Sequence, residues 1–203
     1  MKSYLPFVLV GLIITPALFA KARLGEYYLG FGYSMADGGN SADDLEGDFL
    51  NFRASNPFDS SSDLGIYLEY GNLERTGSDA SSWNLGVDYI THFEGPDLGS
   101  SNLRPYLGLG LGFLDEETPT RLGEDGFTWS VLLGTELKIN KFFSLHLGGR
   151  FYGLWSEFGQ NEFTTDLGCT WWFNPIHGAS FQYQHAVESE LNYFTLEYLY
   201  SWQ

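Results

Sequence analysis

Between residues 104 and 155 large apolar side chains alternate with small or polar ones, the period of a strand with one buried face. In the first run Leu107, Leu109, Leu111 and Phe113 oppose Gly108, Gly110 and Gly112. In the second, Phe127, Trp129, Val131, Leu133, Thr135 and Leu137 oppose Thr128, Ser130, Gly134, Glu136 and Lys138. In the third, Phe143, Leu145, Leu147, Phe151 and Trp155 oppose Ser144, His146, Gly148, Arg150 and Tyr152. Carried in both directions, the same alternation adds strands at about 25–36, 48–55, 63–73, 82–93, 162–173, 178–187 and 191–202. Asn56-Pro57 is a turn signal that should end the 48–55 strand. The prediction is an all-β chain, an antiparallel up-and-down barrel of about ten strands. Eight is the alternative if 48–55 is a loop or the last hairpin is misread.

The direction of each face follows from cost. A slip of one residue moves a whole face to the other side. In the third run that would put Arg150 and His146 into hydrocarbon, and arginine at the midplane of a barrel's lipid face costs roughly 2–4 kcal/mol. The apolar faces therefore point outward and the polar faces line the interior. A soluble lipocalin-like barrel would reverse this, but it has no reason to sort residues by height. Here aromatics stand at the ends of aliphatic belts: Trp83 and Phe93 on one strand, Phe143 and Trp155 on another, Phe163 with Trp171 and Phe173 on a third. Trp129, Tyr200 and Trp202 join them, and together they form the aromatic girdles that two membrane interfaces favour.

Residues 1–22 read as a signal peptide: Lys2, an apolar run from Leu5 to Phe19, and the small-x-small site Ala20-Lys21-Ala22. The barrel domain is then 23–203. No later segment approaches the roughly 18 consecutive apolar residues of a helical span. The net charge of −16 becomes −18 once Lys2 and Lys21 are removed. That excludes a nucleic-acid surface, whose affinity comes from Lys and Arg neutralising phosphates. Cys169, the single cysteine, can form no internal disulfide, and on the lipid face it is inert packing.

The interior faces collect Glu69, Asp88, Arg150, Asp166 and Glu197 near mid-height. Below them come Arg53, Arg104, Lys138, His92 and His146, with Glu26 and Glu136. Opposite charges in a narrow lumen form ion pairs that plug it, because small barrels are just wide enough for side chains to fill. The competing reading is a cation-preferring passive pore, since these inward acids outnumber the inward Arg and Lys. The acidic links Asp37–Asp48 and Asp115–Asp125 could bridge cations to lipopolysaccharide phosphates, but they lack calcium-loop spacing. No metal or cofactor motif is present, and no catalytic residue is assigned.

The residues Pro105-Tyr106-Leu107-Gly108-Leu109-Gly110, Leu133-Gly134-Thr135-Glu136 and Ile139-Asn140-Lys141-Phe142-Phe143-Ser144-Leu145 resemble the small outer-membrane β-barrel proteins, OmpA-type and porin-like. The resemblance implies a bacterial outer-membrane location and lipid and lipopolysaccharide as neighbours. About activity it implies little, since that fold hosts structural, adhesive, pore and enzymatic members. The filled lumen points to a monomer in a structural or surface-interaction role without catalysis, with the barrel-assembly machinery as a partner. The last hairpin, FQYQHAVESELNYFTLEY, resembles the lipid A deacylase barrels, which carry His-x-Ser on a late strand. That would make His185 the base of an acyl hydrolase, but Val187 stands where the serine belongs.

Overall fold

The computed structural model describes residues 23–38, 45–75, 78–93, 102–116 and 125–202. The predicted leader, the tips of the acidic links and residues 94–101 lie outside these. Ten strands run in chain order: β1 (Tyr28–Asp37), β2 (Glu46–Asp59), β3 (Ser62–Arg75), β4 (Ser78–His92), β5 (Leu103–Glu116), β6 (Gly126–Lys138), β7 (Phe143–Leu154), β8 (Asn161–Trp172), β9 (His177–Ala186) and β10 (Leu191–Tyr200). Each pairs antiparallel with its sequence neighbour, and β1 closes on β10 from Leu29↔Tyr200 to Asp37↔Asn192. Closure pairs each strand on both sides through the body of the wall, as a hydrocarbon environment requires. Tyr28 and Tyr200 mark the lower rim, Asp37 and Leu191 the upper.

The wall is apolar on the outside. Leu50, Leu109, Leu111, Leu167 and Leu196 all stand well exposed, Leu109 at 63%. Burial alternates along the strands, and the outward positions are the predicted ones. The lipocalin-like alternative, with these faces turned inward, is thereby excluded. The predicted girdle residues form two groups on the wall. Trp83, Trp129, Trp155 and Phe163 lie toward the upper rim, and Phe93, Phe143, Trp171, Phe173, Tyr200 and Trp202 toward the lower. The upper group is extended by aromatics outside the predicted girdle set. Trp83 stacks on Phe113 at 5.3 Å, Phe113 meets Phe127 edge-on, and Phe158 contacts both Trp129 and Trp155.

Two strands differ from prediction. β2 does not stop at Asn56-Pro57 but continues to Asp59, pairing Asn56↔Leu64 and Pro57↔Asp63 before a register irregularity. Proline is tolerated there because β1 begins opposite Ser55. Below that point β2 is paired on the β3 side alone, an edge where a missing N–H has no acceptor to disappoint. β1 starts at Tyr28 rather than near residue 25, because Gly25 takes φ +78° and turns the preceding chain into the barrel.

The lumen is not polar throughout its height. Tyr28, Trp172 and Leu199 pack together near the lower rim, and Leu114, Leu154 and Tyr152 near the upper. Charged side chains occupy the zone between and below.

Candidate functional site in the lumen

The interior is built from long side chains laid over glycines. Tyr67 on β3 is paired with Gly86 on β4, which is paired with Gly112 on β5. Tyr106 on β5 is paired with Gly134 on β6, which is paired with Gly148 on β7. In both rows the ring lies where a glycine Cβ would otherwise stand, so a side chain at Gly86 or Gly134 would collide with it. The glycines make room for tyrosines, and the tyrosines narrow the passage.

Charge crosses the space that is left. Arg150 on β7 donates to Asp88 on β4, and its guanidinium lies 4.8 Å from the Tyr67 ring centre. Asn84 donates to Glu69 at 3.4 Å. Glu197, on β10 and 1% exposed, is approached by Arg53 at 3.8 Å and by Arg23 at 3.4 Å. His146 stands 3.8 Å from Asp166. On the β1–β2–β10 side Asn51 donates to Ser34, which in turn shares a hydrogen bond with Thr195. A cavity of about 260 Å³ remains among these groups.

The lower mouth carries an arrangement for which the sequence held no signal. Residues 23–25 form a strap held by side chains of the wall. Glu136 on β6 accepts from the Arg23 backbone N–H at 2.8 Å, the Leu24 N–H at 3.2 Å and the Ser144 hydroxyl at 2.8 Å. Asp63 on β3 accepts from the Gly25 N–H through both oxygens, at 3.2 and 3.0 Å, and lies 3.5 Å from His92. Arg104 on β5 donates to the Leu24 carbonyl at 2.7 Å. The Arg23 side chain then extends to the Tyr28 hydroxyl and Glu197. Opposing demands act on its guanidinium: burial disfavours the charge, but Tyr28, Glu197 and Asp166 outweigh this and hold it protonated, above the ordinary arginine value.

Of the predicted lumen residues, the structure joins Arg150 to Asp88 and Arg53 to Glu197, and places Asp166 beside His146 and Glu69 beside Asn84. Arg104 and Glu136 serve the strap, and Lys138 sits in the same lower zone, within the field of both. Asp63 and Glu162 were missed, although the alternation of their strands, carried two residues further down β3 and two further up β8, points both inward. Glu162 accepts from the backbone N–H groups of Phe163, Glu188 and Ser189 and so pins the β9–β10 turn at the upper rim.

His185 lies on the outer face near the upper rim. Its Nδ1 is 3.0 Å from Asn192 Oδ1, which also accepts from the Tyr183 hydroxyl at 2.7 Å. Ser189 is held in the turn by Glu162, and no hydrogen bond links it to His185 among the described residues. The geometry gives acyl hydrolysis no support.

A closed antiparallel barrel with an apolar outer wall, two aromatic girdles and a charged interior defines the class: this is an outer-membrane β-barrel, located in the bacterial outer membrane. Solved structures agree on the fold. The translocator domain of the autotransporter NalP from Neisseria meningitidis is similar at 11% identity, over 98% of this chain and 93% of that one, with a TM-score of 0.53. The beta domain of the Bordetella autotransporter Brka is similar at 10% identity, over 87% and 99%, with a TM-score of 0.52. An outer membrane channel from Pseudomonas putida F1 is similar at 11% identity, over 93% and 100%, with a TM-score of 0.47. At these identities the likeness to the two autotransporter domains is one of fold. No protein-family model and no curated protein matches the chain.

Proposed function

We propose that the protein is a closed-lumen outer-membrane barrel that acts as a structural or surface-interaction protein and neither conducts nor catalyses. The strap carries this reading: residues 23–25 are seated in the lower mouth between Asp63, Arg104 and Glu136. The cross-lumen pair Arg150–Asp88 and the Tyr–Gly–Gly rows support it from above. A filled lumen leaves the wall and the upper links as the working surfaces. The wall's partners are then membrane lipid and lipopolysaccharide, and the links take whatever the cell surface presents.

Single-channel recording in planar bilayers tests this. The wild-type protein is expected to give no conductance steps, and Asp63→Asn/Glu136→Gln, which loosens the strap, to give small ones. Steps of equal size in both proteins would instead establish a narrow pore, the reading favoured by the inward acid excess and the 260 Å³ cavity. Cation selectivity of those steps would be its signature.

A further inference from the structure

We propose that the lower mouth is a binding site for the chain's own new amino terminus. In this proposal, hydrolysis of the Ala22–Arg23 bond during export converts the Arg23 nitrogen into an ammonium that ion-pairs with Glu136. Two unrelated observations meet at one atom. In sequence, the small-x-small processing pattern Ala20-Lys21-Ala22 ends immediately before Arg23. In structure, the Arg23 nitrogen is the group that lies 2.8 Å from Glu136 Oε1.

Glu136 has reason to await a charge. It is 1% exposed, and a carboxylate taken out of water is costly unless paired and hydrogen-bonded. As an amide, the Arg23 nitrogen offers one N–H and no charge. As an ammonium it carries a positive charge and three N–H groups, one of which can point to the same oxygen. The Arg23 guanidinium does not fill that role, since it is directed to Tyr28 and Glu197. Two neighbouring cations, Arg104, which reaches the Leu24 carbonyl, and Lys138, also act on Glu136 through space. Asp63, with His92 beside it, holds the next residue of the strap but one. Capture of an amino terminus by converging acceptors is a known mode of recognition, and here the ligand would be intramolecular. The step balances: a processing peptidase adds one water across the peptide bond, leaving a carboxylate on Ala22 and a protonated amine on Arg23. The strap would thus lock fully only after the leader has gone.

The inference rests on the closed-lumen reading only in that the strap must seat in the mouth. The test uses the mature protein. Mass analysis of protein from native membranes should show a chain starting at Arg23, and any other start overturns the proposal. Wild type and Glu136→Gln are then each refolded with the α-amine free or selectively acetylated. The temperature at which the folded band shifts in electrophoresis is read for all four. Acetylation alone and Glu136→Gln alone should each lower it by roughly 10 °C, and both together by no more than either one. Additive losses, or acetylation without effect, overturn the pair. Should Glu136→Gln fail to refold, amine reagents decide. The α-amine of folded wild type should resist them and that of the unfolded chain should react; labelling of the folded protein overturns the proposal. Additive losses in a barrel that passes no current refute the ion pair and leave the closed lumen standing. Current through a barrel with an intact cycle does the reverse.

Discussion

Arg150 on β7 reaches across the lumen to Asp88 on β4, and its planar head lies over Tyr67 on β3, so one side chain ties three strands. Removing it would leave Asp88, 6% exposed, without its cation. Arg150→Met is therefore expected to lower the unfolding free energy by about 3 kcal/mol, the cost of stranding one member of a buried pair. Arg150→Met/Asp88→Leu should recover most of that loss. Urea titration of the refolded barrel, followed by tryptophan fluorescence, reads both, and a single variant as stable as wild type would sink the idea. Alternation in β4 and β7 was enough to turn both residues inward. That they meet was not legible, because they lie 62 positions apart and only the closed circle of strands brings them face to face. For Arg23 the processing pattern before it marked a chain start, and nothing marked a place in the lumen. Arg23 precedes any alternating run, and its position depends on a left-handed Gly25 and on acceptors from β3 and β6.

At the scale of elements, the Tyr–Gly–Gly rows explain why glycine recurs on inward positions of β4 to β7. Gly134 is bounded by the Tyr106 ring and by the Leu147 carbonyl, so a larger side chain must displace both. Gly134→Val is expected to cost roughly 1–3 kcal/mol, as overpacking does. Tyr106→Ala in the same chain should return part of it, although the valine would still face the carbonyl. The electrophoretic shift temperatures of the two proteins check this; a Gly134→Val barrel that shifts at the wild-type temperature would mean the row is loose. β2 teaches a related lesson from the other side. Proline breaks a strand that is paired on both sides. The offset between β1 and β2 left Pro57 on a half-paired segment, and stagger of that kind is a property of the barrel rather than of the strand.

For the whole molecule, the fold predicts behaviour that a soluble barrel would not share. The unboiled protein should migrate apart from the boiled one in electrophoresis, and protease added to whole cells should cut at upper links alone. An unshifted, water-soluble protein would contradict the apolar wall. By itself the sequence located the strands, favoured ten of them over eight and determined which face meets lipid. Those depend on a period of two and on the penalty for charge in hydrocarbon, and both are local and strong. Only the tertiary structure decided which inward charges pair, how far tyrosines close the passage, and that residues before β1 fold back into the lower mouth. Contacts of that kind depend on closure, stagger and the meeting of strands remote in sequence, and no alternation along one strand encodes them.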